Sequence, residues 1–120
     1  MKYYPYRWVI LKFSTSKSDE VTYKLLAGFE DSLNEYWKLN SGITQVWEFI
    51  NRELQVESIK FKGYSGSEYI CDPEQEGFSY YTYSVFQDIQ KKIYATDTHC
   101  VQAIFYEDFK EEFKNVYEQG

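Results

Sequence analysis

Little in this chain announces catalysis: among 120 residues there is one histidine, His99, two cysteines, Cys71 and Cys100, and no phosphate-binding loop. A zinc site would have to be assembled from Cys71, Asp72, His99 and Cys100, which lack the C-x-x-C or H-x-x-H spacing such sites use. His99 and Cys100 are neighbours, and on a strand neighbours point to opposite faces, so they cannot share a proton as base and nucleophile. The expectation is no catalytic residue, no metal and no cofactor. Long apolar runs are also missing. The N-terminal segment has only Trp8 to Leu11 before Lys12, so neither a membrane span nor an export signal is expected, and the two cysteines read as reduced thiols in a cytoplasm.

Positive charge is scarce in the second half. Residues 1–60 carry eight Lys or Arg and eight Asp or Glu, whereas residues 61–120 carry five against eleven, so the whole formal charge of −6 is C-terminal. An acidic chain repels the phosphate backbone and steers basic surfaces, which disfavours direct nucleic-acid binding and favours a basic protein partner. What the chain has in excess is aromatic: nine Phe, three Trp and thirteen Tyr. Tyrosine buries a ring while keeping a hydroxyl that seeks a partner, a combination suited to contact surfaces, so self-association through aromatic surface is also open.

The length suits a single domain, 1–120, with one core. β-Branched and aromatic residues cluster in runs bounded by polar turns through the first half. Tyr6–Phe13 and Val21–Ala27 form a hairpin, followed by Tyr36–Leu39, Ile43–Ile50, Leu54–Lys62 and Glu68–Cys71. In the first run Trp8, Ile10 and Lys12 share one face and Arg7, Val9, Leu11 and Phe13 the other, so both faces are covered. Past Asp72–Gly77 the period changes to 3.6. Val85, Phe86, Ile89 and Ile93 mark a helix over about residues 84–95, capped by Ser84 and closed by Lys91 and Lys92. Phe109, Phe113, Val116 and Tyr117 mark a second over about 106–118, and Cys100–Phe105 reads as a strand between them. The predicted fold class is α+β: a twisted antiparallel sheet of about five or six strands from residues 6–71, with two C-terminal helices on one face or end.

Two surfaces stand out as candidates. In Phe78–Tyr83 (FSYYTY), alternation puts Tyr80 on one face and Tyr81 and Tyr83 on the other, so some rings reach solvent; the same rings also read as cover for the sheet. On the last helix Glu107, Asp108, Glu111 and Glu112 face outward. Tyr80, Tyr81, Tyr83 and these four carboxylates are the expected partner-binding residues. The second candidate is the loop Lys62-Gly63-Tyr64-Ser65-Gly66-Ser67, whose glycines could free N–H groups to hold an anion, with Tyr64 or Tyr69 stacking on a base; its simpler reading is a hairpin turn.

The segments Tyr23–Gly28 (YKLLAG), Trp37–Ile43 (WKLNSGI) and Phe61–Cys71 (FKGYSGSEYIC) resemble a group of small, mostly uncharacterised proteins of tailed bacteriophages. The likeness spans Trp8 to Cys71, and its most specific parts are the W-x-L-N-S-G-I and G-x-S-G-S-x-Y-x-C elements. Phe29–Tyr36 departs from those relatives in being acidic and glycine-free. The resemblance implies a non-enzymatic protein in the bacterial host cytoplasm that binds and inhibits a host protein, as in host takeover or anti-defence. The alternative it implies is a small-ligand binder such as a nucleotide-signal sponge, which would use the Gly63–Ser67 loop.

Overall fold

In strand β2, Arg7–Thr15, side chains alternate between two buried faces, and that alternation sets the architecture. Trp8 and Ile10 enter one core, with Leu25, Ala27, Ile43, Val46, Phe61 and Phe109. Val9 and Leu11 enter another, with Leu26, Val85, Phe86 and Val101. A strand apolar on both faces needs a layer on each side, as expected from its sequence. The computed structural model describes residues 1–51, 56–96, 98–113 and 116–119.

The fold is α+β. After β1 (Lys2–Tyr3) and β2, the chain runs through β3 (Val21–Asp31), β4 (Asn34–Leu39), β5 (Ile43–Asn51), β6 (Val56–Gly63) and β7 (Glu68–Cys71). It continues through α1 (Tyr80–Tyr94), β8 (His99–Ile104), α2 (Tyr106–Glu112) and β9 (Val116–Gln119). The six strands between residues 7 and 71 form two sheets rather than one, ordered β4-β3-β2-β8 and β1-β7-β6-β5-β9. The break falls at Asn40-Ser41-Gly42. Buried Asn40 fixes the turn by accepting the Leu25 N–H at Oδ1 (2.8 Å) and donating its own N–H to the Leu25 carbonyl (3.0 Å). Gly42, at φ +130°, supplies the backbone that redirects β5 into the other sheet.

The sheets enclose the first core, and α1 covers the outer face of the four-stranded sheet through Val85 and Phe86, giving three layers. α1 starts four residues earlier than the sequence predicts. Its cap is Ser79 rather than Ser84, because Ser79 and Thr82 form a reciprocal box: Thr82 N–H donates to Ser79 Oγ (3.0 Å) and Ser79 N–H to Thr82 Oγ1 (2.8 Å). Tyr80, Tyr81 and Tyr83 are therefore helical, not strand residues. The second helix, predicted over 106–118, ends at Glu112. Val116 lies instead in β9, paired parallel to β5, yet still packs on the same core. Tyr117 is placed opposite Trp47 by that pairing.

Candidate functional site

α2 is short, and what holds it is its buried stripe. Tyr106 and Phe109 lie three residues apart on one face and close the gap between the sheets, where the Tyr106 ring meets Trp8 (6.1 Å between centroids) and Phe61 (5.9 Å) edge-on. Phe113, at the helix end, stacks on Phe109 at 4.8 Å. The polar end of Tyr106 does further positioning. Its hydroxyl donates to Glu48 Oε1 (2.7 Å), and its backbone N–H donates to Glu76 Oε2 (2.6 Å). Lys110, one turn on, places its ammonium 2.9 Å from the same Glu48 oxygen and over the Tyr106 ring, 5.7 Å from the centroid.

These contacts build one wall of a cavity of about 390 Å³ between α2 and strands β5 and β6. Glu48, Glu57 and Glu107 contribute carboxylates, Lys110 the one ammonium among the described lining residues, and Ile50, Ile59 and Pro73 an apolar side. Burial acts to raise the pKa of Glu48 but is outweighed by the Lys110 and Tyr106 hydrogen bonds, so its carboxyl lies below the ordinary value and is ionised at neutral pH. Glu76 behaves oppositely: burial pushes it up, against the Tyr106 N–H, and the charges of Glu107 and Asp108 add to the rise. The arrangement can hold a cation whose stem is apolar, and the seat of Lys110 illustrates the chemistry.

The expected contact residues divide. Glu107, Asp108 and Glu111 are exposed on α2, and Glu107 reaches the cavity. Glu112 is tied to Lys12 in an ion pair. Tyr80 is 99% exposed and Tyr83 about half, its ring against Phe78 at 5.4 Å. Tyr81 is half-buried and packs on the core beneath α1. The tyrosines thus sit on the helix covering the four-stranded sheet and the carboxylates on the helix between the sheets. Glu48 and Glu57 were not anticipated. The signal for Glu48 was a carboxylate at an inward position of the apolar strand ITQVWEFI, where an unpaired charge would be costly.

The Gly63–Ser67 segment is the turn between β6 and β7, and four of its five N–H groups are committed internally. Gly63 donates to the Ser67 carbonyl, Tyr64 to that of Gly42, Gly66 to that of Gly63, and Ser65 to Ser41 Oγ. With four of its five donors occupied, the loop has the bonding of a hairpin turn. Tyr69 belongs to the core. The two Ser-Gly elements of the sequence, residues 41–42 and 63–66, dock on each other through these bonds.

Cys71 is fully buried and burial pushes its thiol well up, whereas Cys100 is half-buried with Sγ 3.9 Å from the Tyr94 hydroxyl; both are free thiols. His99 Nδ1 lies 2.9 Å from Thr98 Oγ1 and 3.2 Å from Thr96 Oγ1. Among the described residues no group of three metal-ligating side chains converges, and no helix is long and apolar enough to cross a membrane. Comparison with known proteins gives no matching family model, no matching curated protein and no matching solved structure.

Proposed function

We propose that this chain is a non-enzymatic binding protein that engages a basic surface of a protein partner with the acidic face of α2 and the adjoining cavity, and so blocks that partner. The observation that carries the reading is the cavity itself. Among the described residues three carboxylates, from Glu48, Glu57 and Glu107, stand against one Lys110 beside an apolar wall of Ile50, Ile59 and Pro73. An Arg or Lys side chain of a partner satisfies both parts, laying its stem on the wall and its charge among the carboxylates. Asp108 and Glu111 extend the negative field along the exposed side of the helix and steer encounter. The likeness of three segments to small phage proteins supports a host protein in the bacterial cytoplasm as the partner.

A fluorescent octa-arginine peptide, followed by anisotropy, tests the location. Reversal at Glu107, Asp108 and Glu111 to Lys is expected to weaken binding at least tenfold. The same charge change at Asp19, Glu20 and Asp31, exposed residues of the turns and the end of β3, is expected to weaken it less than threefold. Equal losses in the two triple variants would mean that the peptide senses only net charge, and the reading would fail.

A further inference from the structure

The four-stranded sheet is covered by α1 and the inner faces by each other together with α2, so the buried stripes of both α-helices are engaged away from the outer face of the five-stranded sheet. Alternation and register place its side chains. Trp47 lies opposite Lys60, and Lys60 opposite Ile70; Gln45 lies opposite Lys62, Lys62 opposite Glu68, and Glu68 opposite Lys2. By alternation Phe49 shares the face with Trp47, two residues along β5, and it also borders the α2 cavity. The chain has a formal charge of −6, yet among the described residues this face gathers three ammonium groups against one carboxylate. Lys60 lies over the Trp47 ring, 4.5 Å from the centroid, and 3.1 Å from Glu68.

We propose that this sheet face binds single-stranded nucleic acid, with bases displacing Lys60 from the Trp47 ring to stack on Trp47 and Phe49, and phosphates held by Lys2, Lys60 and Lys62. The spacing favours an extended strand over a compact anion. Residues two apart on one strand are separated by about 6.6 Å, so Trp47 and Phe49 form successive stacking platforms and Lys60 and Lys62 successive charges alongside them. A flat face of this kind suits splayed bases, whereas a duplex keeps its bases stacked inside. Net acidity elsewhere does not forbid it. Exposed charges farther than the screening length of about 8 Å are largely damped in physiological salt, and the molecule is 23 Å across even along its shortest axis. Glu68 stands where a phosphate would, drawing Lys60 to itself and feeling the charges of Lys2 and Lys62. A bound strand would take its place.

The test uses the full chain and fluorescein-labelled dodecathymidylate, read by anisotropy at low salt. Glu68→Gln is expected to tighten binding several-fold, because it removes the competing anion while keeping the side-chain shape. Lys60→Ala with Lys62→Ala, and separately Trp47→Leu, are expected to weaken it about tenfold. About three phosphate contacts predict a loss near 20-fold between 50 and 200 mM salt. A folding defect cannot mimic the gain from Glu68→Gln, and far-UV circular dichroism reports on the other variants. The proposal is overturned if the strand does not bind, if Glu68→Gln weakens or leaves binding unchanged, or if a duplex or a poly-glutamate peptide competes as well as the single strand.

Discussion

At Gly28 helix α1 lies close on the sheet beneath it, and a single methyl group there tests the layering. A Cβ at Gly28 would lie 2.8 Å from Thr82 Cγ2 and 3.5 Å from Tyr6 Cε1, against an ordinary carbon–carbon contact of about 3.5–4.0 Å. Thr82 cannot swing aside, being 2% exposed with its hydroxyl held in the capping box with Ser79. The helix must therefore lift, and overpacking of this kind costs about 1–3 kcal/mol. Loss of glycine freedom in the unfolded chain offsets about 0.4–1 kcal/mol, leaving Gly28→Ala destabilised by about 1–2 kcal/mol. For a chain of this length that corresponds to a fall in Tm of roughly 3–10 °C. Thr82→Ser keeps the cap and removes the offending methyl at a cost of about 1 kcal/mol. In that background Gly28→Ala should be neutral or stabilising. Urea denaturation of the four proteins, followed by circular dichroism, gives the coupling energy directly. An identical cost of Gly28→Ala in both backgrounds would refute the packing of α1 on Gly28.

Glu48 links α2 to pH. Its pKa is lowered in the fold, so its stabilising contribution is present above the unfolded carboxyl value, about 4.3, and is lost as pH falls through the lower folded value. Glu48→Gln should flatten the stability profile in that acid window; an unchanged profile would mean that the Tyr106 and Lys110 hydrogen bonds do not form in solution. The two thiols should differ in reactivity. Maleimide is expected to label the half-buried Cys100 in the native protein and to reach Cys71 only after unfolding, whereas prompt labelling of both would contradict the enclosed position of Cys71.

Residues whose pattern is local were legible in the sequence. RWVILKF states its two buried faces by alternation, and Val85, Phe86, Ile89 and Ile93 state the helix by spacing. FSYYTY misleads because its aromatic content favours strand, while its backbone obeys the Ser79–Thr82 box, a three-residue signal embedded in β-prone side chains. The end of α2 misleads for the opposite reason. The helical period continues through Val116, but β5 offers an edge to which residues 116–119 pair in parallel, and that edge is invisible from the segment itself. Division into two sheets depends on the bonds of Asn40 to Leu25, fifteen residues away. At the site, the carboxylates of α2 were readable as an exposed acidic face. Their convergence with Glu48 and Glu57 was not, because it is made by tertiary contact between α2 and the β5–β6 pair.

The same physics separates the two proposed surfaces. One is a concave acidic site whose preferred guest is a cationic side chain, and the other a flat, locally basic face whose preferred guest is a splayed anionic strand. High salt should weaken both, but only the second should respond to Trp47→Leu and only the first to reversal at Glu107.

The central claim, that the α2 cavity is the protein-binding site, is tested most directly by mapping amide chemical-shift changes in the full chain on titration with octa-arginine. The largest changes are expected on Glu48, Glu57 and Tyr106–Glu111. Changes spread evenly over all acidic segments, including Asp19–Glu20, Glu30–Asp31 and Asp72–Glu76, would contradict it.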